Sequence, residues 1–82
     1  MGRFYFHLKA GGEVIPDDEG SELPGLNEAK REALQGAREL LAEAIKTGSP
    51  KVAEALVIAD EAGRTLLELP LIEVLPEALK VK

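Results

Sequence analysis

Apolar and polar positions along this chain change period twice. From Arg3 to Lys9, Phe4, Phe6 and Leu8 alternate with Arg3, Tyr5, His7 and Lys9, the period-two pattern of a strand with one apolar face. From Leu26 to Thr47 the period lengthens to that of a helix. At about 100° per residue, Leu26, Ala33, Ala37, Leu40 and Ala44 share one face. Ala29 flanks them on one side, and Leu34, Leu41 and Ile45 flank them on the other. The apolar arc spans roughly 160°, wider than the stripe a surface helix needs. The helix is therefore expected to touch more than one surface and to bury both Leu40 and Leu41. Pro24 and Gly25 break what precedes it, and Gly48 and Pro50 stop it. Gly25 and Glu28 have the spacing of a capping box, but glycine has no side chain to complete one, which leaves Asn27 as the other candidate cap.

The remaining elements are short. Gly11-Gly12 supplies a turn, after which Glu13 to Ile15 can return as a strand that Pro16 cuts off at a sheet edge. Residues 16–25 read as a loop of turn formers and acids, with Leu23 as its anchor into the core. Ala55 to Asp60 and Thr65 to Leu69 read as two strands of a hairpin. Asp60 to Gly63 forms its type I turn, with Gly63 at positive φ and Asp60 paired with Arg64. That pairing sets Leu56, Ile58 and Leu66 on one face and Ala55, Val57, Ala59, Leu67 and Leu69 on the other, so both faces are expected to be apolar. The predicted fold is a single α+β domain over residues 1–82. It has a four-stranded antiparallel sheet in the order 2-1-3-4, with the helix on one face as the crossover between the second and third strands. An apolar tail follows from Pro70, with one helical turn after Pro76.

Composition narrows the function classes. The chain has 82 residues, 45% hydrophobic and 30% charged, and a formal net charge of -5. That is one globular domain with one modest core. The acidic balance disfavours nucleic acid and anionic membrane surfaces, which require basic footprints. There is no cysteine, which excludes thiol chemistry, disulfides and thiolate metal sites. No apolar run reaches spanning length, so a cytoplasmic location is expected.

Several stretches together resemble a known family. They are F-Y-F-H-L at 4–8, Pro16-Asp17, Glu19-Gly20, Glu22-Leu23, the alanines at 29, 33 and 37, and D-E-A-G-R at 60–64 followed by Leu66 to Pro70. The set resembles a bacterial family of very small proteins catalogued only as a domain of unknown function, over about the first seventy residues. The resemblance implies an aspartate as the common residue where this chain has Gly25. It lends no activity, partner or cofactor. A weaker likeness, to the strand-strand-helix antitoxin domains of toxin–antitoxin pairs, rests on the P-D…G turn before an alanine-rich helix and carries no function by itself.

Candidate chemistry is sparse. Arg3, Tyr5, His7 and Lys9 share the polar face of the first strand and could bind a small ligand or a phosphate, or stack bases as aromatic sheet faces do. The plainer alternative is a solvated or subunit-covered strand face. No nucleophile motif accompanies His7, the only histidine, so no catalytic residue is assigned. Asp17, Asp18 and Glu19 form an acidic run without the ligand spacing of a calcium loop, and no metal or cofactor is expected. The predicted function is a noncatalytic interaction module, adaptor- or antitoxin-like, with a ligand-binding or catalytic site on the Tyr5/His7 face as the alternative. The apolar second face and tail point to self-association through Val57, Leu67, Leu69, Leu71, Ile72 and Leu75, either in a homodimer or replaced by a tail folded back on its own sheet.

Overall fold

The computed structural model describes residues 2–48 and 53–74. Its strands are β1 (Gly2–Ala10), β2 (Glu13–Ile15), β3 (Ser21–Leu23), β4 (Ala55–Ala59) and β5 (Thr65–Pro70). The helix α1 covers Leu26–Thr47, and a 3-10 turn at Leu71–Val74 follows β5. The five strands form one antiparallel sheet with the path β2-β1-β4-β5. That path is the strand order expected from sequence. The added strand is β3, which pairs with Gly2 to Phe4 on the same edge of β1 that β2 occupies at Leu8 to Ala10. Three residues are too few to show a period, and pairing to β1 makes them a strand.

The helix covers one face of the sheet. Facing it, Phe6, Ile58 and Leu67 form one rung across β1, β4 and β5, and Leu8, Leu56 and Leu69 form the next. These residues, with Phe4, Leu23 and Leu40, pack with Ala29 and Ala33 as the core. The buried helical row is Ala29, Ala33 and Ala37, one step round from the face the sequence pattern centres on. Small side chains let the helix backbone approach the sheet closely. That placement leaves Leu40 and Leu41 half-buried rather than buried and turns Ile45 out to 68% exposure. No side chain caps Gly25; its carbonyl accepts the Ala29 amide, and the Gly48 amide closes the other end on the Ile45 carbonyl.

The hairpin turn forms as its sequence requires. The Asp60 amide donates to the Arg64 carbonyl, and Gly63 has φ of 83°. Beyond it the expected register fails. Ala59 pairs with Thr65 but Ile58 pairs with Leu67, so Leu66 is the extra residue of a bulge. One inserted residue moves Leu67 and Leu69 from the open face to the helix face, so the expectation that both faces are apolar is corrected. The open face carries His7, Val57 and Glu68 in one row and Lys9, Ala55 and Pro70 in the next.

The chain after Pro70 turns to the helix side. The Leu71 amide donates to the Glu54 carbonyl at 2.9 Å, Leu71 is buried, and the 3-10 turn packs against α1. Among the self-association candidates, Leu67, Leu69 and Leu71 thus belong to the helix-side core. Val57 is buried within the sheet, and Ile72 is exposed. Leu75 and the helical turn expected after Pro76 lie outside the described residues.

Candidate functional site

β2 and β3 leave residues 5–7 of β1 without a strand on that edge. Residues 16–20 fill the gap as a strap fixed by side chains. Oδ2 of Asp17 accepts the Phe6 amide at 3.1 Å, where a strand carbonyl would otherwise stand. Its Oδ1 accepts the amides of Glu19 and Gly20, each at 3.2 Å. The Asp17 amide in turn donates to Nδ1 of His7 at 3.0 Å. An accepting Nδ1 puts the imidazole proton on Nε2. Partial burial pushes the Asp17 carboxyl up, but the amides of Phe6, Gly20 and Glu19, with a smaller contribution from the adjacent His7 ring, outweigh it and hold the group below the usual carboxylate range.

The sequence-predicted row is drawn into this strap. Nη1 of Arg3 donates to the Glu19 carbonyl at 2.8 Å, and its Nη2 contacts Oε1 of Glu22 at 3.2 Å. Tyr5 lies under Gly20, whose φ is 69°. A Cβ there would stand 2.9 Å from the Tyr5 ring and 3.0 Å from both Arg3 Cγ and the Phe4 carbonyl oxygen. Tyr5 and His7 stack, with ring centroids 6.3 Å apart and planes 15° apart. Lys9 stands beyond the strap and pairs with Glu68 of β5 at 2.9 Å. The row is therefore assembled as expected, but each member is bound to a neighbour in its own chain. Both cations of the row face carboxylates, which removes the basic footprint a phosphate or a nucleic acid needs.

Of the acidic run, Asp17 is engaged, both its oxygens accepting backbone amides. Among the described residues no three histidine, aspartate or glutamate side chains gather as a metal would require. A hollow of about 210 Å³ lies beside the β1–β2 turn, lined by Lys9, Gly12, Glu13, Val14 and Glu54. It is smaller than ligand sites usually are, and Tyr5 and His7 do not line it. No helix of the described residues is long and apolar enough to cross a membrane.

The sequence reading missed the roles of Asp17 and Gly20. A signal was present: an aspartate followed by residues whose amides it can accept, ending in glycine, is the signature of a side-chain-closed turn. Asp60 repeats the device. Its Oδ1 accepts the amides of Ala62 and Arg64, and its Oδ2 accepts Nε of Arg64. The Arg64 amide chiefly holds its pKa below the ordinary value.

Among the described residues, a helix laid on an antiparallel sheet, with two turns closed by aspartates, defines a small α+β fold. The chain belongs to the family described as Domain of unknown function (DUF6894), which matches residues 3–72. The match takes in every strand except for Gly2 at the start of β1, together with the strap and the helix. No curated protein and no solved structure matches the chain.

Proposed function

We propose that this domain is a noncatalytic interaction module, adaptor- or antitoxin-like in kind, that pairs with a second copy of itself along β2. The observation that carries this reading is the exposure of that edge. Val14 and Ile15 are each 54% exposed. They stand on opposite faces, since Val14 pairs with Lys9 and Ile15 with Leu8. The outer side of β2 pairs with no strand among the described residues. An edge strand with apolar residues on both faces is a template for strand addition, and pairing two such edges about a twofold axis closes the assembly. The engagement of Arg3, Tyr5, His7 and Lys9 within the chain favours this reading over a ligand site on the same strand.

Sedimentation velocity at micromolar concentration tests it. The parent is expected to sediment as a dimer, and Ile15→Lys as a monomer with unchanged helical circular dichroism, because a charge on the edge opposes strand addition. A monomeric parent would sink self-association. A variant that stays dimeric would move the interface away from β2.

A further inference from the structure

Besides the Arg3 contact to the Glu19 carbonyl, two kinds of hydrogen bond hold the strap, and they respond differently to protons. The Asp17 carboxylate accepts three backbone amides, while the Asp17 amide donates to His7 Nδ1. Only an unprotonated Nδ1 can accept. A doubly protonated imidazole sets two donors against each other. We propose that His7 is a proton-operated latch: proton uptake at Nδ1 releases the Asp17 amide and loosens residues 16–20 over β1.

The groups around His7 fix how the latch works. Tyr5 stacks beside it on β1, and Lys9 follows on the same face. From β4 the neighbour is uncharged Val57, and beyond Val57 lies Glu68 of β5, tied to Lys9. From the strap comes Asp17, while Arg3 is turned to Glu19 and Glu22. The neighbouring carboxylates do not replace the lost bond, because the Asp17 amide then has no Nδ1 lone pair to donate to. Imidazole side chains change charge between about pH 5 and 8. In that window Asp17 stays ionised, since its carboxyl titrates below the ordinary range, so the histidine contact is the part that changes. Loosening the strap raises the exposure of the β1 edge and of the Tyr5 ring under Gly20. The latch operates whether or not the chain self-associates.

Nitrogen-15 NMR of the full chain from pH 8 to pH 5 tests it. At high pH the His7 ring is expected to be the Nε2–H tautomer. As the ring titrates, the amides of Asp17, Glu19 and Gly20 should shift with the same midpoint. Asp17 amide exchange, corrected for its intrinsic pH dependence, should speed up about tenfold, the equivalent of one ordinary hydrogen bond. His7→Asn, whose side-chain oxygen can accept near the Nδ1 position, should keep the high-pH spectrum of the strap throughout. An Nδ1–H tautomer at pH 8, strap amides that ignore the ring titration, or the same transition in His7→Asn would each overturn the latch. The first two are read on the parent chain and do not depend on a variant folding.

Discussion

Asp17 and Asp60 do the same work at two turns, and each does it by aiming a carboxylate at backbone amides that no strand reaches. Buried or half-buried amides need partners, and a short acidic side chain supplies two acceptor atoms where the chain must leave the sheet. Gly20 completes the first turn. Its left-handed backbone, and the closeness of Tyr5, Arg3 and the Phe4 carbonyl oxygen to where a Cβ would stand, leave no room for a side chain. Gly20→Ala is expected to destabilise the fold by roughly 1–3 kcal/mol, from backbone strain and the forced shift together. Chemical denaturation measures this, and a variant as stable as the parent would show that the strap adapts freely.

At the scale of elements, the helix and the hairpin follow different controls. The helix spans the residues its period predicts, because periodicity over six turns is a strong local signal. Which side of its wide apolar arc meets the sheet is settled by Phe4, Leu56 and Ile58, against which the alanine row fits. Gly36 lies beside that row, and a Cβ there would meet only Leu56 Cδ1, at 4.0 Å. Packing does not require the glycine. Gly36→Ala is expected to stabilise the domain by about 0.5–1 kcal/mol through helix propensity, read as a rise in melting temperature. A loss of stability would mean that the helix and β4 lie closer than an ordinary contact. In the hairpin, the turn obeys its own residues, but the bulge at Leu66 decides which leucines are core.

The whole molecule carries an acid limb that can be assigned. Asp17 and Asp60 both titrate below their ordinary value of 3.8 when folded. As pH falls, the unfolded chain takes up these protons first. Each group therefore contributes stability in full above the unfolded value, and that stability is lost as pH drops through the folded value. Asp17→Asn keeps one acceptor and loses the charge. It should lower stability at pH 7 by about 1–2 kcal/mol and make the decline below about pH 4 shallower than in the parent. Urea melts at pH 7 and pH 3 check both, and an unchanged acid limb would place the acid sensitivity elsewhere.

The sequence alone determined the elements whose signals are local. These are the alternation of β1, the helix over Leu26–Thr47 and the glycine turn at Gly63. Period and turn chemistry act over neighbouring residues, so they can be read from one chain. The tertiary structure decided three things that no local pattern holds. β3 exists because β1 offers it an edge. Leu67, Leu69 and Leu71 are core because a single bulged residue reverses the face of a strand, and the chain then turns back beneath the helix. The polar row of Arg3, Tyr5 and His7 anchors a strap because Asp17, ten residues past His7, reaches the same strand. F-Y-F-H-L and P-D-x-E-G, two of the stretches that carry the family likeness, are the two sides of that contact. They are distant in sequence and meet only when the chain folds.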